Sequence, residues 1–91
     1  MGENSLDAFT KRMILLPWYK KMLVLRTIEG WTQEEAANKY QCSGRQVWLW
    51  NTGKVLPQRN SRKAIAAAHG LELTDIFPAE MLKPGEVEKG A

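Results

Sequence analysis

Side chains able to do covalent or acid–base chemistry are sparse in this sequence. Cys42 is the only cysteine and His69 the only histidine. No serine or cysteine has a base suitably spaced from it. Glu34 and Glu35 are adjacent on one segment rather than converging across a cleft, so neither nucleophilic nor paired-carboxylate catalysis is expected. One cysteine cannot form an intramolecular disulfide, and no Cys/His cluster has zinc spacing. Cys42 reads as a small turn residue. His69 sits near a helix C-terminus, where a partly charged imidazole is mildly favoured. The expectation is a protein that is not an enzyme and that needs no cofactor, metal or small-molecule ligand.

What the residues do support is binding of a polyanion. The formal net charge is only +3, but its distribution is uneven. Residues 36–71 contain no Asp or Glu, while Lys39, Arg45, Lys54, Arg59, Arg62 and Lys63 all fall there. The acids Glu72, Asp75, Glu80, Glu86 and Glu88 gather afterwards. A basic stretch of this kind is the footprint of phosphate binding, or else a solvated basic face; charge alone does not choose.

The elements that must position these residues are short helices. With 91 residues, 44% of them hydrophobic and 25% charged, the chain has the composition of one ordinary globular domain. No apolar run approaches the roughly 18 residues of a membrane span, because Pro17, Lys20 and Lys21 interrupt the richest stretch. The N-terminus has no signal-peptide pattern, and a cytoplasmic location is expected. Sustained strand alternation and internal repeats are both absent, so the fold class is all-α.

Pro17 suits a first helical turn, and Trp18, Met22, Leu25 and Ile28 recur at helical spacing until Gly30, which predicts a helix over 17–29. Thr32 with Glu35 forms a capping-box pattern opening a helix over 33–40, and Ser43 with Gln46 a second one opening a helix over 44–52. Gly53 ends that helix, and 54–58 with Pro57 reads as a loop. A further helix over 59–69 stops at Gly70, and Thr74 caps a last turn holding Ile76 and Phe77. Upstream, Ser5 can cap a segment whose Leu6, Phe9, Met13 and Leu16 share one face; it covers the core or offers a surface to a second subunit, with core favoured. Residues 1–16 are thus an N-terminal extension with an additional helix, 17–78 the domain, and 79–91 a charged, mobile tail.

Two short helices, each opened by its own cap and three residues apart, make a crossing pair from which the second helix can protrude. On that second helix Val47 and Trp50 share a face, while Arg45, Trp48 and Leu49 point elsewhere. Trp48 lies about 200° around the helix from Trp50, so the two cannot enter one core. Trp50 reads as core, and Trp18 and Trp31 as core or interface packing. DNA contact, a protein interface and partial burial all stay open for Trp48.

The stretch 26–77 resembles the lambda repressor and Cro-like (xenobiotic response element, XRE) helix-turn-helix family. The marks are Gly30-x-Thr32-Gln33-Glu34-Glu35, Ala37 where the two helices touch, Val47 and Trp50 in the core, Gly53-Lys54, Pro57, Ile65-Ala66 with Gly70 behind, and Leu73-Thr74-x-x-Phe77. The resemblance implies a compact five-helix domain that binds double-stranded DNA as a homodimer and regulates transcription. It also implies that Gln33 contacts a phosphate, where a helix N-terminus favours an anion. Gly44, Arg45 and Leu49 would face bases with Trp48 beside them and Ser43 and Gln46 at the edge. Thr52, Lys54, Arg59 and Arg62 would grip phosphates along the flank. Arg45 is the candidate for direct readout, since a guanidinium can bond both O6 and N7 of guanine, and Leu49 could touch a thymine methyl.

The sequence departs from the family pattern at four places. Gln41 stands where glycine is usual in the turn, Asn51 where a glutamate commonly follows the tryptophan, Gly44 supplies no side chain, and Trp48 is large and apolar. Arg62 and Lys63 could equally be a solvated face of their helix. The leading expectation is a sequence-specific, repressor-like regulator, nucleoid-associated. The alternatives are a protein-interaction adaptor of the antitoxin or coactivator type, in which Trp48 and Leu49 insert into a partner, and an architectural recombination accessory factor.

Overall fold

Local stop signals divide the chain into helices, and three of those helices end in the same way. The computed structural model describes residues 5–82, the first three by backbone alone. It contains α1 (Ser5–Leu15), α2 (Trp18–Glu29), α3 (Gln33–Tyr40), α4 (Gly44–Asn51), α5 (Arg59–His69), α6 (Leu73–Ile76) and a 3₁₀ turn (Ala79–Met81). No strand occurs among the described residues. The protein is compact and all-helical. The side chains of Ser5 and Leu6, on which the expected cap and contact rest, are not among those described, and residues 83–91 of the expected tail lie outside the described residues.

Helices α2, α3 and α5 each finish on a left-handed residue, at Gly30, Gln41 and Gly70. The N–H of the next residue then reaches back to a carbonyl five residues earlier: Trp31 to Arg26, Cys42 to Ala37 and Leu71 to Ala66, at 3.0, 2.9 and 2.9 Å. That pattern satisfies carbonyls the helix would otherwise leave orphaned. At Gln41 it forms without glycine, at φ 62°. A side chain there costs about 1–2 kcal/mol, partly offset because glycine loses more entropy on folding. Gln41→Gly is therefore expected to raise stability by about 0.5–1 kcal/mol, read as a higher urea midpoint at unchanged slope. A lower midpoint would show that the turn is not strained.

One core joins five helices. Trp18 and Met22 of α2, Ala36, Ala37 and Tyr40 of α3, Val47 and Trp50 of α4, Ile65 and Ala66 of α5, and Ile76 with Phe77 at the end of α6 are all buried. Trp18 packs edge-on to Tyr19 and tilted against Phe77, at centroid distances of 5.5 and 6.0 Å, within the favourable range for aromatic pairs. Gly53, at φ 81°, brings its backbone so close to the Tyr19 ring that an added Cβ would lie 2.9 Å from it. Only glycine meets both demands there.

Several expectations need correction. Pro17 is the N-cap of α2 rather than its first residue, because its extended ψ of 159° lies outside the helix. Helix α4 stops at Asn51, and Thr52 caps it. The last helical turn is capped by Glu72 in a reciprocal box with Asp75, not by Thr74, which is exposed one residue inside α6. The α1 segment does not join the core: on the expected face Phe9 is 46% exposed and Met13 and Leu16 are half-buried outside the core, Phe9 and Met13 edging a shallow cleft with Leu25 and Leu71. Packing also continues past residue 78, since Met81 and Leu82 lie partly buried against the core.

Candidate nucleic-acid interface

Helix α3 is held at its start by a complete capping box: the Glu35 N–H donates to Thr32 Oγ1 at 3.1 Å and the Thr32 N–H to Glu35 Oε1 at 2.8 Å. Small Ala36 and Ala37 let α4 cross it closely. Only half of the second expected box forms, with the Gln46 N–H donating to Ser43 Oγ at 3.1 Å. The end of α4 is tied to the end of α2 and to the α2–α3 turn. Arg26 Nη2 donates to Asn51 Oδ1 at 3.3 Å, and Nη1 to the Trp31 carbonyl at 3.4 Å.

These ties present one face of α4 outward. Gly44, Val47 and Trp50 are buried. Arg45 is exposed, Trp48 is 48% exposed and Leu49 and Thr52 are half-buried. Spaced i, i+3, i+4 and i+7, the last four form a single stripe running the length of the helix. Trp48 and Trp50 thus fall on opposite sides: Trp50 is in the core, and Trp48 is half-covered with the rest of its ring in solvent. Lys54 and Arg59 are exposed at the end of α4 and the start of α5, and Ser43 is exposed at the α4 cap. Gln33 is half-buried at the first position of α3.

Three of the expected site residues are placed elsewhere. Arg62 is 2% exposed, and its Nη1 donates to the Pro57 carbonyl at 2.6 Å; it is neither a phosphate contact nor a solvated charge, because the 54–58 loop folds over it. Gly44 does not face outward: it is buried beneath Glu34, whose Cδ and Oε1 would lie 2.9 and 3.1 Å from an added Cβ. The Glu34 carboxylate thereby sits at the positive end of the α4 dipole, where it is stabilising. Gln46 lines a cleft of about 390 Å³ with Cys42, Trp50, Val55, Leu56, Gln58 and Ser61, rather than joining the stripe. The Thr52 hydroxyl is occupied in ending the helix, donating to the Leu49 carbonyl at 2.7 Å and accepting from the Lys54 N–H at 3.3 Å. Burial pushes the Cys42 thiol up, as suits an inert turn residue.

A cluster behind α3 was not anticipated. The Tyr40 hydroxyl lies 2.6 Å from His69 Nε2, and the His69 ring lies 5.1 Å from Trp31 between centroids. The Lys39 ammonium sits 5.4 Å over the same indole. His69 Nδ1 is buried and 3.8 Å from Glu29 Oε2, within ion-pair range but too long for a hydrogen bond. Burial pushes the Tyr40 hydroxyl up to about 12, so it stays protonated at neutral pH and can donate to Nε2. The helical spacing of Arg62, Ile65, Ala66 and His69 was the available signal, since it sets all four on the inward stripe of α5.

Burial also holds the His69 imidazole below its ordinary value, against the pull of Glu29. The unfolded chain then binds the proton more readily than the folded one. Stability is full above the unfolded value of about 6.5 and is lost as pH falls below it. His69 is the sole histidine, so a thermal midpoint falling between about pH 7 and pH 5 reports this group, the carboxylates titrating lower. His69→Gln should flatten that window; a midpoint already flat in the unaltered chain would refute the assignment.

Among the described residues, no three His, Cys, Asp or Glu side chains are grouped to hold a metal ion. None of the described helices is long and apolar enough to cross a membrane. No protein-family model, curated protein or solved structure matches this chain.

Proposed function

We propose that the chain is a sequence-specific duplex-DNA-binding protein acting as a small transcriptional regulator, with α2–α6 forming a five-helix domain of the lambda repressor and Cro-like kind and α1 an addition to it. In this reading α4 enters the major groove. The observation that carries it is the outward stripe Arg45–Trp48–Leu49–Thr52 on a helix projecting from a tightly capped pair, flanked by exposed Lys54 and Arg59 in a stretch without acids. Glu34 occupies the α4 N-terminus, so backbone grip falls to Gln33 at the α3 N-terminus and to the basic flank. Two copies on half-sites about one helical turn apart would give a pseudo-palindromic operator.

Binding of labelled duplexes recovered by selection from random sequence, followed by fluorescence anisotropy at several salt concentrations, tests this. Affinity should fall steeply with salt and should discriminate among sequences. Arg45→Ala should cost about 1–3 kcal/mol and relax preference at one base pair. Unchanged affinity and preference would remove Arg45 from direct readout. The exposure of Trp48 also suits a protein-interaction adaptor, and salt-independent absence of duplex binding would favour that reading. A steep salt slope without sequence preference would indicate an architectural role.

A further inference from the structure

The outward stripe of α4 has an unusual chemical content. Arg45 is its only side chain able to make a bidentate hydrogen-bonded contact with a base edge. Gln46 is turned into the cleft beside Trp50, Gly44 is covered by Glu34, and the Thr52 hydroxyl is engaged by its own backbone neighbourhood. What remains is apolar: Trp48, 48% exposed, and Leu49 beside it.

Beyond its single N–H donor, a half-exposed indole has little to offer phosphate oxygens. The one apolar group a major groove displays is the C5-methyl of thymine, and a methyl at the same ring position marks 5-methylcytosine. From Arg45 to Thr52 the stripe rises roughly 10 Å, about the rise of three base pairs. A guanine met by Arg45 and a pyrimidine methyl met by Trp48 therefore fall within one short subsite.

Resting on the proposed DNA-binding function, we propose that Trp48 is a specificity residue that reads pyrimidine 5-methyl groups in the major groove, with Leu49 flanking it. The occupant of this face is a duplex that carries such a methyl next to the Arg45 contact. Charge complementarity selects DNA as that occupant: Arg45 is exposed on the same stripe as the indole, Lys54 and Arg59 are exposed just beyond the end of α4, and residues 36–71 include no acid.

The test uses the full chain and its selected duplex. Thymines are replaced one at a time by deoxyuridine, which removes only the methyl, and in parallel T·A pairs are replaced by C·G carrying either cytosine or 5-methylcytosine. At one or two positions, loss of the methyl should weaken binding about fourfold, and 5-methylcytosine should bind better than cytosine by a similar factor. Trp48→Ala and Trp48→Gln should abolish this methyl dependence while leaving the preference of Arg45 for its base pair intact. Their thermal midpoints report whether the fold is retained. Equal binding of thymine and deoxyuridine duplexes by the unaltered chain overturns the inference but leaves sequence-specific binding standing. Methyl dependence that survives in both Trp48 variants overturns the role of Trp48 and assigns that face to another partner. Absence of binding to any duplex overturns the DNA-binding function itself.

Discussion

Trp50→Ala is expected to destabilise the protein by about 3–5 kcal/mol, the usual cost of emptying a buried aromatic site. The indole is 2% exposed and belongs to the core shared by five helices. For a domain of this size the thermal midpoint would fall by roughly 15–30 °C, enough to leave the variant largely unfolded at physiological temperature. Trp48→Ala, only two residues away, should stay within about 1 kcal/mol of the unaltered chain and show its effect in binding instead. Circular dichroism melts of the two variants side by side check this contrast. Similar losses from both would mean that α4 does not present the face described.

Arg62→Met is expected to cost about 2–3 kcal/mol, because a nearly isosteric apolar chain fills the space but leaves the Pro57 carbonyl without its donor. Arg62 reaches that carbonyl at 2.6 Å from within α5, and Pro57 is itself buried. The bond fastens the loop leaving α4 to the body of the domain. A fall in midpoint of roughly 10–20 °C is expected, whereas the salt slope of duplex binding should hardly change. Lys54→Ala should do the reverse, sparing stability and lowering the slope by about one. A stable Arg62→Met protein with a reduced slope would restore Arg62 as a phosphate contact and contradict its burial.

How much of this was legible in the sequence depends on the range of each signal. Thr32 with Glu35, Gly30, Gly53 and Gly70 act within a few residues of themselves, and the helix ends they announce are found within one residue of the expected places. The 200° offset between Trp48 and Trp50 is likewise a local consequence of helical geometry, and their exposures of 48% and 2% follow it. Thr74 has the hydroxyl that commonly caps a helix, but Glu72 stands at the N-cap of α6, its N–H donating to Asp75 Oδ2 at 2.9 Å.

Candidate site residues were less legible, since a charge in a sequence carries no label for the side of the chain it will occupy. Arg45, Lys54 and Arg59 stay exposed while Arg62 does not, because the loop through Pro57 closes over one face of α5. The resemblance sets Gly44 among the base-facing positions, yet the Glu34 side chain ten residues earlier covers it. The amphipathic spacing of Phe9 and Met13 suggests core, but the two meet only a shallow cleft, which leaves Phe9 46% exposed.

The sequence by itself determined the all-helical class and the capped pair α3–α4, which are written in local propensities and short spacings, and the acid-free basic stretch, which is a matter of composition alone. Only the tertiary structure decided which members of that stretch face outward. It turned Gln46 into a cleft, locked Arg62 to Pro57 and joined Tyr40 to His69 across 29 positions. The physical reason is that burial belongs to pairs of elements rather than to residues, so the division of the α4 face into grip, readout and core is made where helices and loops close on one another.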